Sequence, residues 1–271
     1  MTLFDLLLAP AAATLLLAGI HCYFGLFVVA RGVIFVDLSL AQLAALGSAV
    51  ALLSGVEGDS NGAYFFSLGF TFFGAAIFAL TRRRLADVPQ EALIGIVYAV
   101  ASAVAILILD RSPHGQEEIK SMLVGSILFV DWPTIGKTGV LYAVIGGLHA
   151  LWYARFRKGN AVEQTDGHAV LWDFLFYATF GVVVTSSVKL AGVLLVFSFL
   201  IIPTVVAMLF VTGFAKRLIF GWVFSAIVSV IGLYASATFD LPSGAAVVGV
   251  FGATWAVAMI IAGFREHKGA T

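Results

Sequence analysis

Two polar side chains interrupt the apolar stretch VIFVDLSLAQLAALG at residues 33–47. They are the carboxylate of Asp37 and the amide of Gln42, and the preceding stretch AGIHCYFG adds the imidazole of His21. A charged or polar group at membrane depth is costly, so it generally has a partner, faces a cavity or lines a pathway. We therefore take Asp37, Gln42 and His21 as candidate residues of a pathway through the protein.

Each of these side chains also fits a structural role. His21 fits a neutral histidine bonded to a neighbouring helix, Asp37 fits a shallow acid that reaches water or a cation, and amides such as Gln42 often join helices. On a regular helix Asp37 and Gln42 point about 140° apart, since each residue turns by roughly 100°. Each would need a partner from another helix, such as the one bearing His21. Glu91 opens a helix, where the helix dipole favours an acid.

The rest of the chain indicates where these residues would sit. Of its 271 residues, 61% are hydrophobic and 11% are charged, which is typical of a membrane protein. About nine stretches lack Asp, Glu, Lys and Arg and approach the roughly 20 residues that span a bilayer. They are 6–30, 38–56, 60–81, 92–109, 138–154, 174–188, 190–215, 218–239 and 241–264. We predict an all-α, multi-pass membrane protein with a single transmembrane domain over 1–271.

A tenth apolar stretch, SMLVGSILFV at 121–130, is half the needed length. It fits either an interfacial helix or a short re-entrant helix.

The cations predict the orientation of the spans. Eleven Lys and Arg residues fall on one side if the basic clusters are cytoplasmic, and four fall on the other. The positive-inside rule then gives nine spans with the N-terminus outside and the C-terminus inside.

The sequence carries no motif for an enzyme. It has neither a Walker A sequence nor H-E-x-x-H spacing, and its net charge of zero offers no basic face to nucleic acid. We expect a pathway or a receptor that binds no cofactor and takes its energy from elsewhere. Pro203 interrupts the span at 192–210, and because proline removes a helix hydrogen bond it is a candidate kink and moving part.

Four segments resemble the membrane subunits of bacterial ABC importers for zinc, manganese and iron. They are GLFVVARGVIFVDLSLAQLAALG (25–47), EALIGIVYAVASAVAILIL (91–109), LVGSILFVDW (123–132) and VKLAGVLLVFSFLIIPTVVAML (188–209). In the last segment, Gly192, Leu194, Leu195, Ile201, Ile202, Pro203 and Ala207 match the family pattern.

The resemblance implies a homodimeric permease in the bacterial inner membrane. Cytoplasmic ATPase subunits would hydrolyse ATP, and an extracytoplasmic solute-binding protein would deliver the ion. The ATPase would contact the region at about 155–170, with Arg155, Arg157, Lys158, Glu163 and Asp166 as candidate residues.

The resemblance also departs from the family at the ion site. The family's second span often has an Asp and a His four residues apart. An alignment from Arg31 places Asp37 at the acid and Ala41 at the histidine, whereas an alignment from AALG at 44–47 places Leu38 and Gln42 there. The function implied is permeation of a divalent transition metal, zinc or manganese first. The alternatives are a permease for a metal chelate or another small solute, and a stand-alone secondary carrier that uses Asp37.

Overall fold

A computed structural model of the chain describes residues 3–58, 60–85, 87–111, 125, 127–158 and 168–269. These residues form ten α-helices and one short 3-10 helix at Ile127–Phe129. The α-helices are α1 (Leu3–Arg31), α2 (Val36–Leu53), α3 (Asn61–Arg84), α4 (Gln90–Leu109), α5 (Trp132–Leu151), α6 (Tyr153–Lys158), α7 (Ala169–Ala191), α8 (Val193–Phe210), α9 (Phe214–Phe239) and α10 (Ser243–Gly269). The all-α prediction is confirmed.

Eight helices of the described part are long and apolar enough to cross a membrane, one fewer than the nine stretches counted in the sequence. They are α1 to α4 and α7 to α10. The predicted span 138–154 corresponds to α5, which has 20 residues but contains Lys137, His149 and four glycines. These residues lower its hydropathy, and α5 is not among the eight.

Helix ends follow from local chemistry at several positions. The Ser60 hydroxyl accepts the Ala63 N–H at 3.2 Å and caps α3, which satisfies one of the free donors of the first turn. At the other end, Arg82, Arg83 and Arg84 occupy the last turn of α3, where cations complement the helix dipole. Gly192 alone separates α7 from α8, with a φ of 76° that favours glycine.

The contacts divide the chain into two compact units. Unit 1 contains 1–29, 124–140 and 190–271, and unit 2 contains 30–123 and 141–189. In unit 2, α2 packs on both α3 and α4. Leu43 and Leu46 of α2 bury against Ala101 and Ala105 of α4. A Cβ added at Gly47 would lie 2.6 Å from the Phe66 carbonyl oxygen, so α2 and α3 touch backbone to backbone there.

In unit 1, α8 packs on α9 and α10. The Phe199 and Phe251 rings meet edge to face with centroids 5.4 Å apart. A Cβ added at Gly232 would lie 2.6 Å from the Val247 Cα, so α9 and α10 are also in close contact. Small residues thus allow close helix packing in both units.

The short apolar stretch at 121–130 is described only at Gly125 and 127–130. Gly125 has a φ of 64°, and a Cβ there would lie 2.2 Å from the carbonyl carbon of Ala191. This backbone therefore lies directly on the end of α7. Residues 121–124 and 126 are outside the described residues, and whether the segment is interfacial or re-entrant stays a prediction.

Candidate functional site

Asp37 lies in the first turn of α2 and is 1% exposed. Its Oδ1 atom is buried and has no hydrogen-bond partner in the described part of the chain. A buried carboxylate oxygen with no donor is costly unless a cation or a proton compensates it. The sequence therefore located a side chain whose surroundings call for a positive partner.

Glu91 supplies the second carboxylate, from the first turn of the neighbouring helix α4. Its Oε1 accepts the backbone N–H of Ile34 in the turn before α2. Its Oε2 is buried and makes no hydrogen bond to the described residues. The charges of Asp37 and Glu91 interact electrostatically, since α2 and α4 pack together.

Both acids lie in the first turn of a helix, Asp37 in α2 and Glu91 in α4, and these two helices pack together. A buried carboxylate oxygen without a donor is compensated by a proton or a cation. Helix N-termini add a fixed positive potential that favours the charged form. Glu91 does lie in the first turn of α4, where the helix dipole favours an acid. Of its two carboxylate oxygens, only Oε1 has a hydrogen-bond donor among the described residues.

Gln42 and Ser39 lie deeper in α2. Gln42 is half-buried, and its side-chain amide forms no hydrogen bond within the described residues. The Ser39 hydroxyl is fully buried and also has no partner there. The structure does not pair Gln42 with Asp37, which agrees with the predicted angular separation.

His21 belongs to unit 1 and is fully buried. Its Nδ1 donates to the Leu17 carbonyl oxygen at 2.8 Å, one turn earlier in α1. The bond fits the structural role of a neutral histidine, although its acceptor is on the same helix rather than on a neighbour. Asp37 and Gln42 belong to unit 2, and a site that combines them with His21 stays a prediction.

Pro203 is buried inside α8, as the sequence predicted. It cannot donate to the Phe199 carbonyl oxygen, which instead receives the Cys22 thiol at 3.9 Å. A Cβ at Gly25 of α1 would lie 2.1 Å from the Leu200 carbonyl oxygen. The interrupted part of α8 is therefore in direct contact with α1.

The predicted ATPase-contact region is described in part. Arg155 and Arg157 are exposed on α6, which ends at Lys158. The Arg155 guanidinium lies 5.8 Å from the centre of the Trp172 ring of α7. Glu163 and Asp166 are outside the described residues, and the role of the region stays a prediction.

A buried ionic cluster in unit 2 was missed from the sequence. Asp173 of α7 is fully buried and pairs with Arg31, Arg82 and Arg83 at 3.2, 2.7 and 2.8 Å. From the sequence alone, an acid near the end of an apolar span, such as Asp173, fits a position in the membrane interface. The signal in the sequence was an acid and several arginines near predicted cytoplasmic ends, and it was insufficient because their pairing requires the fold.

The described residues contain no group of three or more His, Cys, Asp or Glu side chains that could hold a metal ion. A cation bound by Asp37 or Glu91 would therefore retain water or take ligands from elsewhere.

Comparison with known proteins identifies the family. The family model described as the ABC 3 transport family matches residues 3–262. The chain belongs to this family. The ABC 3 transport family thus accounts for nearly all of the chain, and the resemblance drawn from four segments of the sequence is confirmed.

Curated relatives in the same family carry transport names. The manganese transport system membrane protein MntC of Listeria monocytogenes is 26% identical over 234 residues, which cover 81% of each chain. The MntC protein of Halalkalibacterium halodurans is 25% identical over 261 residues, covering 93% of this chain and 86% of that protein.

The fold is also shared with a solved structure. PsaBC from Streptococcus pneumoniae, solved in complex with Fab, matches with a TM-score of 0.73 at 19% identity. The match covers 94% of this chain and 91% of that chain. The chain therefore has the fold of an ABC 3 family membrane protein, and its apolar helices make it an integral membrane protein.

Proposed function

We propose that this protein is the permease subunit of an ABC importer for a divalent transition metal ion. The observation that carries the proposal is the family match over residues 3–262. Two relatives that cover most of the chain are named as manganese transport proteins. The chain itself is not an enzyme, and a separate cytoplasmic ATPase subunit hydrolyses ATP to drive transport.

The chemistry of the candidate site favours manganese over zinc. Asp37 and Glu91 offer carboxylate oxygens. Oxygen ligands suit Mn²⁺, whereas Zn²⁺ prefers imidazole and thiolate. The histidine expected four residues after Asp37 is replaced by Ala41. We assign Asp37 and Glu91 to the pathway, with Gln42 and His21 as further candidates.

Helix α5 is proposed as the ninth span. Helix α4 starts near the end of α3 and must carry the chain to the other side of the membrane. Phe156 follows α5, and its carbonyl oxygen accepts a hydrogen bond from Arg31 at 3.3 Å. Arg31 ends α1 on the side of the membrane where α4 begins. A return crossing between 110 and 155 would account for this contact, and α5 is the long helix among the described residues of that stretch.

Contacts along α5 support the same assignment. The Tyr142 hydroxyl lies 2.5 Å from the Ser187 hydroxyl, and His149 Nε2 lies 2.8 Å from the Thr179 hydroxyl. Residue numbers fall on α7 as they rise on α5, so the helices run antiparallel. The two contacts are about 10 Å apart along the helix at roughly 1.5 Å per residue. Because α7 is an apolar span, α5 accompanies it across the membrane.

The remaining parts of the assembly are also proposals. A second copy of the chain completes the pathway, and a solute-binding protein delivers the ion from outside. Large apolar side chains remain exposed on α4 and α10, including Ile96, Leu107, Ile260 and Phe264. Lipid and the second copy are the surfaces that would cover them. The location is the inner membrane of a bacterial cell.

Reconstitution tests the proposed function. The permease is placed in liposomes with its ATPase subunit and its solute-binding protein, and uptake of Mn²⁺, Zn²⁺ and Fe²⁺ is measured with and without ATP. We expect ATP-dependent uptake with Mn²⁺ preferred. Uptake driven by an ion gradient in the permease alone would contradict the proposal and support a secondary carrier. ATP-dependent uptake of a chelate but of no free ion would support the chelate alternative.

A further inference from the structure

The buried ionic cluster connects four helices at one end of unit 2. Its residues are Asp173 of α7, Arg31 of α1, and Arg82 and Arg83 of α3. The Asp173 side chain is 1% exposed, and those of Arg31, Arg82 and Arg83 are 1%, 4% and 13% exposed. Arg31 extends the cluster to α6 through its hydrogen bond to the Phe156 carbonyl oxygen.

Both carboxylate oxygens of Asp173 take part. Oδ1 accepts from Arg82 and Arg31, and Oδ2 accepts from Nε of Arg83. A carboxylate held at both oxygens by charged donors has a fixed orientation. Its neighbour Phe176 lies under the Arg31 guanidinium, 3.8 Å from ring centre to Cζ. The start of α7 is therefore fixed to the ends of α1 and α3.

An aromatic cluster fixes α6 to the same place. The Phe156 ring stacks on His149 at 4.4 Å and meets the Phe176 ring at 5.8 Å. The Phe156 backbone and the Phe176 ring both contact Arg31. Arg31 thus contacts α6, which precedes residues 159–167, and α7, which follows them.

We propose that Asp173 is a positioning residue, which holds the helices on both sides of the ATPase-contact region in place for coupling to the ATPase. This inference rests on the proposed function. In the predicted topology, 155–170 is the longest stretch between spans on the cytoplasmic side. A cytoplasmic motor therefore meets the chain mainly there. Movement applied to this stretch reaches the spans only if its two flanking helices are held to them. Asp173 and its three arginines hold both flanking helices to α1 and α3.

The test compares metal uptake with ATP hydrolysis in the same liposomes. The Asp173→Asn variant keeps the side-chain size but removes the charge that the arginines share. We expect the permease to retain its ATPase subunit on co-purification, while the number of metal ions carried per ATP falls about fivefold or more. A purely structural defect would lower uptake and hydrolysis together and leave this ratio unchanged.

Arg83 provides a milder variant with a matched control. Arg83→Gln removes one donor of Asp173, whereas Arg84→Gln removes the exposed next residue of the same helix. We expect the ratio to fall for Arg83→Gln and to stay at the wild-type value for Arg84→Gln. This pair decides the outcome if Asp173→Asn does not fold.

The outcomes separate this inference from the proposed function. Wild-type uptake with an unchanged ratio in Asp173→Asn overturns the positioning role alone. Equal ratios for Arg83→Gln and Arg84→Gln do the same. If the wild-type complex shows no ATP-dependent uptake of any tested ion, the proposed function is overturned, and the inference that rests on it is overturned too.

Discussion

Asp37 and Glu91 are acids in the first turns of two packed helices, α2 and α4. Each is supported by its own helix dipole, but each retains a buried oxygen with no donor in the described residues. A protein interior tolerates such an oxygen when a positive charge, from a cation or a proton, compensates it. In the proposed pathway, the compensating charge is the transported cation. Repulsion between the two unoccupied acids disfavours the empty site and therefore favours capture of the cation.

The first prediction removes one charge from this pair. Asp37→Asn and Glu91→Gln each lower Mn²⁺ uptake about tenfold or more, equivalent to roughly 1.4 kcal/mol of lost binding. Neither lowers the melting temperature in detergent, because each relieves repulsion between two buried carboxylates. The measurements are uptake in liposomes and thermal unfolding of the purified protein.

Asp110→Asn is the control, since Asp110 is an exposed acid at the opposite end of α4. It should leave both uptake and melting temperature unchanged. If Asp37→Asn lowers the melting temperature together with the uptake, the pathway role is contradicted and Asp37 has a structural role.

At the residue scale, sequence reasoning located some groups and missed their partners. Asp37 stands out because its neighbours are apolar, which is a local signal. Glu91 lies 57 residues from Ile34, whose N–H it accepts, and Asp173 lies 142 residues from Arg31. Neither pairing has a periodicity or spacing to reveal it. Each of these residues had a satisfactory local role, as a dipole acid or an interfacial charge, and that role concealed the contact.

Helices α1, α8 and α9 meet around Pro203 in unit 1. The Cys22 thiol lies between the Phe199 carbonyl oxygen of α8 and the Ser225 hydroxyl of α9, at 3.9 and 3.4 Å. A thiol is a weak donor, so the carbonyl released by Pro203 is only loosely satisfied. The role of Pro203 as a moving part of α8 stays a prediction.

The second prediction tests how closely α1 approaches this point. Gly25→Ala places a methyl group 2.1 Å from the Leu200 carbonyl oxygen and 2.5 Å from the Thr204 hydroxyl oxygen. The backbone must shift, which costs about 1–3 kcal/mol of stability. The melting temperature should fall, together with uptake, in the purified and reconstituted protein.

Gly19→Ala is the matched control on the same helix, because a Cβ there has nothing within 4 Å. It should leave the melting temperature unchanged or slightly raised, since alanine favours helix. Equal melting temperatures for the two variants would contradict the close contact between α1 and α8.

At the element scale, charge-free stretches located the spans but not their ends. The predicted span 138–154 became α5 at Trp132–Leu151 followed by α6 at Tyr153–Lys158. Lys137 did not end the helix, since a lysine is tolerated in a helix near the membrane surface. Gly192 was matched to a family pattern in the sequence. Its place as the single residue between α7 and α8 requires a positive φ, which the sequence pattern does not reveal.

Across the whole molecule, the number of spans decides which loops share a side. With α5 counted, the basic residues that follow α1, α3 and α5 all lie on one side. Without it, Arg157 would face away from Arg84. The contact between Arg31 and Phe156 is the basis of the proposed ninth span.

The third prediction tests by cysteine labelling whether the number of spans is eight or nine. Single cysteines replace Arg84, Arg111 or Arg157 in the Cys22→Ser protein, and intact cells are treated with a membrane-impermeant maleimide. Arg111→Cys should react, while Arg84→Cys and Arg157→Cys should react only after the cells are opened. Reaction of Arg157→Cys in intact cells would show that α5 does not cross and would leave eight spans.

The distance in sequence between Arg31 and Asp173 also has a consequence during synthesis. The ribosome adds about 5–20 residues per second, and 142 residues separate the first arginine of the cluster from its acid. Arg31 therefore waits roughly 7–28 seconds at that rate before its counter-charge exists. A nascent chain interrupted before α7 would hold three arginines without that acid, and such a fragment is a natural substrate for membrane quality control.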